Sequence, residues 1–227
     1  ILHTGVRTEM DAPLALLSEH VESKSSPLQH SAIVGLGLAY AGSCREEIVA
    51  LLLPYVQDET TSIETAALCV LSLGFVFVGS AHGEIVPSVL QMLMEREPSQ
   101  LDNSWVQFIS LGLALLFLSR QDASDATIET LKAIEHPVSR EAQILVDACS
   151  YAGTGNVLKI QSLLHDCAEH VTPDSKKEGG SEQTANESEG ARNWYQAFSV
   201  LAIALVAMGE DVGAEMTLRH MSPVSYT

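Results

Sequence analysis

The sequence predicts an all-α chain, an α-solenoid of helix-turn-helix repeats of about 37 residues. Three observations carry that expectation. First, one apolar stretch recurs with small residues at its third and last positions: GLGLAYAG at 35–42, SLGFVFVG at 72–79, GLALLFLS at 112–119, VDACSYAG at 146–153 and AIALVAMG at 202–209. Second, the closing small residues Gly5, Gly42, Gly79, Ser119, Gly153 and Gly209 are spaced by 37, 37, 40, 34 and 56. A period in the high thirties suits a unit of two helices. Third, aromatics make up only 5% of a chain that is 46% hydrophobic. Core volume then comes from Leu, Val, Ile and Ala, which suits helices packed closely on helices.

Each repeat has the same order of parts. A helix apolar nearly all round comes first, as at 33–41 and 108–118, and must be covered on most sides. A turn follows that starts on a small residue, because glycine supplies the left-handed conformation that ends a helix. A second helix with one apolar stripe comes next, at 46–56, 84–94, 125–134 and 157–164. Polar connections close the unit: QDETTSIE, EREPSQLDN and EHPVSR. Pro87 falls in the first turn of its helix, where a missing N–H costs little. Pro54 sits deeper, so a kink or an early end is expected there. Small residues at i and i+5 of the recurring stretch are expected to let neighbouring backbones approach. That packing must offset about 1 kcal/mol per mid-helix glycine.

The 56-residue spacing holds an insert at 172–192, TPDSKKEGGSEQTANESEGAR, which is polar, nearly free of large apolar residues and expected to be disordered. The repeats resume after it, so the solenoid is expected over 1–220, with an atypical tail at 221–227. The chain starts at Ile1 without Met and reads as a piece of a longer protein. Residues 65–81, TAALCVLSLGFVFVGSA, carry no charge and reach the lower length limit of a membrane span. The repeat register assigns them to a buried core helix, so no membrane partner is expected.

Net charge is −17, with 12 Lys+Arg spread thinly. That excludes the basic face a nucleic-acid binder needs and favours partners with basic surfaces. Gly35–Gly42 fits neither phosphate-loop pattern, and no Lys follows it. No cofactor motif is present. Cys44, Cys69, Cys149 and Cys167 have no paired spacing, and the first three are expected to be inert core thiols. His165 and His170 stand five apart, which on a helix separates them by about 140°. A helix end, rather than a metal site, is the expectation there. Nothing pairs a nucleophile with a base, so no enzyme is expected.

The acids are more informative. Glu84, Ser88, Gln91 and Glu95 are spaced 4, 3 and 4 and share one face of a second-layer helix. Flanking helices carry Glu46 and Glu47 on one side, and Asp122, Asp125 and Glu129 on the other. Two readings stand: an ordinary solvated face, or a dock for a small domain with a basic rim.

GLGLAYAGS, LLLP, FVGS with the following GE, the run from Ser150 to Leu164, and ALVAMGEDVGAEMTLRH resemble the proteasome/cyclosome repeat family over roughly residues 1–220. Within it the likeness is to the ring-shaped non-ATPase scaffold in the base of the 26S proteasome regulatory particle. The resemblance implies a segment of a closed toroid in the cytoplasm and nucleus. It implies ubiquitin chains, ubiquitin-like domains of shuttle factors and proteasomal ATPase subunits as partners. It also implies a receptor surface on the helices at 46–56, 84–95 and 122–135. The family places an acid after NG, an acid or Gln seven residues on, and a Glu four beyond. HGEIVPSVLQMLME supplies Glu84, Gln91 and Glu95, with His82 in place of Asn and a neutral middle position. The family's second site, for a deubiquitinase's ubiquitin-like domain, has no counterpart in this chain, and residues 221–227 depart from the pattern. Other scaffolds of the family, the second large ring of the particle and the largest anaphase-promoting-complex subunit, carry the same repeats without needing ubiquitin.

Overall fold

The structure is a computed structural model and describes residues 11–168 and 197–221, with side chains for 11–165 and 197–219. The partial copy at Gly5, the insert at 172–192 and residues 222–227 lie outside the described residues. Every regular element among the described residues is helical. In chain order these are α1 (Ala12–Val21), α2 (Ser26–Ala39), α3 (Glu46–Gln57), α4 (Ile63–Val76), α5 (Ile85–Glu95), α6 (Pro98–Leu101) and α7 (Val106–Leu116). A 3-10 turn at Gln121–Ser124 leads into α8 (Asp125–Lys132), α9 (Pro137–Ser150) and α10 (Val157–Ala168). Helix α11 is described over 197–207, and α12 is Asp211–Met221.

The helices form two layers. Helices α2, α4, α7 and α9 pack each on the next, as the apolar stretches require, and α1, α3, α5 and α8 cover them. One continuous core runs from Val21 to Cys149, and a second cluster joins α9, α10 and α11 through Tyr151, Ile160, Leu163 and Ile203. Helix α4 is the most enclosed, with Ala66 to Leu73 all buried. That explains why it carries no charge after Glu64 in its first turn. Among the described residues no helix is long and apolar enough to cross a membrane.

A backbone ladder joins the repeats. The last carbonyls of a helix have no partner within it. Here they accept from the preceding repeat's turn. Gly42 and Cys44 donate N–H to the carbonyls of Phe75 and Val76, at 2.8 and 3.1 Å. Gly79 and Ala81 do the same to Leu115 and Leu116, at 2.9 and 2.8 Å, and Gly153 and Gly155 to Leu205 and Val206, both at 2.8 Å. Ser119 donates to Cys149 at 3.0 Å. Both donors of a turn need the left-handed conformation: φ is 69° and 51° at Gly42 and Cys44, and 66° and 50° at Gly79 and Ala81. Non-glycine residues there cost roughly 1–2 kcal/mol each, offset by the carbonyls they satisfy.

The closing glycine is therefore chiefly a turn residue, which corrects the expectation that both small positions serve helix approach. The approach comes from the third residue of one stretch meeting the first of the next. A Cβ on Gly37 would lie 2.7 Å from Cβ of Ser72, and one on Gly74 would lie 2.5 Å from the carbonyl oxygen of Gly112. Ser72, buried at that crossing, donates its hydroxyl to the Ile33 carbonyl at 3.0 Å.

Three local expectations are refined. Helix α3 runs through Pro54 and ends one turn later, with the Asp58 N–H on the Pro54 carbonyl. EREPSQLDN is not all loop, for Pro98 opens the short α6. EHPVSR contains the start of α9: Pro137 sits at its first position, and the His136 ring accepts the Val138 N–H at 3.2 Å.

Gly74→Ala is expected to lower stability by about 1–3 kcal/mol, overpacking outweighing the better helix propensity. Gly83→Ala, which opens onto free space, should stay within about 0.5 kcal/mol. Urea denaturation followed by circular dichroism checks both.

Candidate docking surface

Helix α5 carries the centre of the surface. Ile85, Val86, Val89, Met92 and Leu93 face the core, which turns Glu84, Gln91 and Glu95 outward to exposed positions and leaves Ser88 half-buried. Gln91 donates to Glu95 at 2.8 Å. Ser88 donates to the Glu84 carbonyl at 2.9 Å and accepts from Gln57 of α3 at 3.0 Å. Beside this stripe lies an apolar one. Pro87 is exposed, Leu90 half-buried and Met94 52% exposed, and their spacing of 3 and 4 keeps them in line.

Three links fix α5 against α3. His82 packs edge-on against Phe77, with ring centroids 4.8 Å apart. Its Nδ1 accepts the Glu84 N–H at 3.3 Å, so the neutral ring carries its proton on Nε2, which faces Glu46 Oε1 at 3.2 Å. The Gln57–Ser88 bond is the second link. Arg96 is the third: only 7% exposed, it donates to the carbonyls of Glu59 and Thr61 at 2.9 and 2.8 Å and of Asp58 at 3.0 Å. These contacts frame a small groove of about 130 Å³ floored by Val56 and Met92 and edged by Ser88, Gln91 and Glu95.

The flanking acids divide. Glu46 and Glu47 are exposed at the start of α3, and Glu47 pairs with Arg45. Arg45 also holds Asp11, whose carboxyl is lowered by the Tyr40 hydroxyl and by Arg45, while burial first and then Asp11 push the Tyr40 phenol to about 12. On the other side Asp122 accepts the Tyr151 hydroxyl at 2.7 Å, which raises that phenol to about 12. Glu129 pairs with Lys132 at 2.6 Å. Asp125 and Glu129 line a cleft shared with α9 and α10. Helix α8 packs on α5, but no hydrogen bond or ion pair among the described residues joins its acids to the α5 stripe.

Residues 31–65 match the proteasome/cyclosome repeat model. Over 223 residues, 97% of the chain, the sequence is 41% identical to the 26S proteasome regulatory subunit rpn-1 of Neurospora crassa. It is 50% identical over 182 residues, 80% of the chain, to the 26S proteasome regulatory subunit rpn1 of Schizosaccharomyces pombe. It is 41% identical over 219 residues, 96% of the chain, to the 26S proteasome non-ATPase regulatory subunit 2 of Dictyostelium discoideum. The chain belongs to the proteasome/cyclosome repeat family. It spans 23%, 19% and 22% of the length of these three relatives, so it corresponds to about a fifth of each.

Two side chains central to the surface of this proteasome/cyclosome repeat chain were not singled out by sequence reasoning. Arg96 lies in a stretch that reads as polar loop, and its one signal is a cation at a helix end. Gln57 carries no signal. The cysteines need one correction. Cys69 and Cys149 are buried, but Cys44 is exposed, because it occupies the second left-handed position of a turn rather than a core helix. Burial pushes the Cys69 thiol up strongly and the Cys149 thiol to about 11. Among the described residues no group of three or more His, Cys, Asp or Glu could hold a metal ion, and the side chains of Cys167 and His170 lie outside them.

Arg96→Met is expected to cost about 1–3 kcal/mol by stranding three carbonyls, with faster hydrogen exchange at residues 58–62. In a Cys167→Ser background at pH 8, a maleimide should modify Cys44 at once and Cys69 and Cys149 only on unfolding. The folded state holds the two buried thiol protons more tightly than the unfolded chain. Their contribution to stability is therefore present below the ordinary thiol value of 9.0 and lost as pH rises above it. Mass spectrometry of labelled peptides reads the pattern.

Proposed function

We propose that this chain is a segment of a ring-shaped, non-catalytic scaffold of the proteasome regulatory particle. In this reading α3, α5 and α8 dock ubiquitin chains and the ubiquitin-like domains of shuttle factors, and other faces of the scaffold contact the proteasomal ATPase subunits. The protein works in the cytoplasm and nucleus, bound to no cofactor. The observation that carries the docking role is the pair of parallel stripes on α5: Glu84, Gln91 and Glu95 beside Pro87, Leu90 and Met94. Ubiquitin-type folds present an apolar patch rimmed with Lys and Arg. The apolar stripe takes the patch, and the acidic stripe meets the rim.

The chemistry required is modest. Exposed charge pairs contribute little each, about 0.2–1 kcal/mol, so they steer encounter and set orientation more than they hold. Weak single docking suits a receptor for chains, because a second linked ubiquitin binds at high effective concentration. Gln91 leaves the middle of the stripe neutral, which lowers steering while keeping a hydrogen-bonding group at the contact. No bond is made or broken in this role.

Glu84→Arg with Glu95→Arg is expected to weaken binding of a ubiquitin-like domain at least about tenfold, since like charges then face the basic rim. Melting temperature and helical content should not change, because both side chains point to solvent. Unaltered affinity in a calorimetric titration would remove the docking role from α5.

A further inference from the structure

We propose that the cleft between the α6–α7 connection and the start of α9 receives the basic side chain of a partner protein. This surface shares no residue with the stripes on α5 and does not depend on their role.

The cleft has a volume of about 520 Å³. Leu101, Val106 and Val138, all buried, form its apolar wall. Asp102 and Glu141 supply its charge, His136 also lines it, and no Lys or Arg does. The histidine is already committed. Its Nδ1 accepts the Val138 N–H, and its Nε2 faces Asp102 Oδ1 at 3.2 Å. Glu141 is different. It is half-buried, and its carboxylate makes no hydrogen bond or ion pair among the described residues. Burial pushes its carboxyl up from the ordinary value.

A half-buried carboxylate without a partner is unfavourable, because desolvation is not compensated. A cation arriving in the cleft removes that penalty and makes a charge-assisted hydrogen bond. The apolar wall fits the rest of such a side chain, since Lys and Arg lay their methylene stems along apolar surface and keep the charged head on a polar group. The neighbouring cleft of about 540 Å³ between α8, α9 and α10 behaves otherwise. Its Lys132 is answered by Glu129 and its Lys159 by Asp147, so it is balanced from within. The cleft at Glu141 lacks such a cation, and a chain of net charge −17 draws basic partners toward it.

The test is a two-dimensional NMR titration of the labelled 227-residue chain with acetyl-Ala-Lys-Ala amide, acetyl-Ala-Arg-Ala amide and the norleucine analogue. Amide signals of Gln107, Val138 and Glu141 are expected to shift with a basic peptide, and norleucine should bind about tenfold more weakly. Glu141→Gln, which keeps shape and removes charge, should weaken the basic peptide about tenfold, the factor of one charge-assisted hydrogen bond. Glu22→Gln makes the same charge change at an exposed position elsewhere and should alter nothing. Equal binding of norleucine, full binding to Glu141→Gln, or equal loss in Glu22→Gln would overturn the proposal.

Discussion

The turn-to-helix hydrogen bonds between repeats are the constraint on which the rest depends. Three of the four described turns offer two N–H groups, two residues apart, to the last carbonyls of the next buried helix, and the Ser119 turn offers one. The regular i to i+4 pattern of the helix leaves those carbonyls unmatched in an apolar setting. The turn therefore sets the height of each buried helix against the one before. The close crossings at Gly37–Ser72 and Gly74–Gly112 then follow, since backbones held at that height meet where only small residues fit.

The covering helices inherit this register. Helix α3 begins just after the Gly42–Cys44 turn, and α5 just after the Gly79–Ala81 turn, so their starts lie side by side and Glu46 reaches His82. Gln57–Ser88 ties the end of α3 to the first turn of α5, and the Arg96 clamp secures the far end of α5. The acidic and apolar stripes of α5 are thus held by contacts on both flanks of the α3 side. Between α8 and α10 a wide cleft opens instead. A docking surface needs that fixity, because a weak contact loses its margin if the receptor must first be ordered.

Much of this was legible in the sequence because repetition amplifies weak local signals. A single glycine in an apolar run is ambiguous, but five copies, most of them 34–40 residues apart, identify a buried helix and its turn. The outward face of α5 was legible for the same reason, since Glu84, Ser88, Gln91 and Glu95 keep helical spacing. What depended on long-range partners was not. Arg96 reads as a loop cation until the chain brings the carbonyls of residues 58–61 to it. Cys44 reads as core until the left-handed turn carries it outside the helix. Ala81 and Gln121 hold left-handed conformations that their residue types do not announce. The unpartnered carboxyl of Glu141 is visible only in the packed structure, for its neighbours in the sequence do not reveal the cleft.

The account joins a backbone register to a surface, and the two meet on α5. The most direct measurement is a two-dimensional NMR titration of the labelled chain with ubiquitin. The account predicts amide shifts concentrated at Glu84, Ser88, Leu90, Gln91, Met94 and Glu95, fading into α3 and α8 and leaving the buried helices unmoved. No shifts at saturating ubiquitin, or shifts centred on another face, would contradict it.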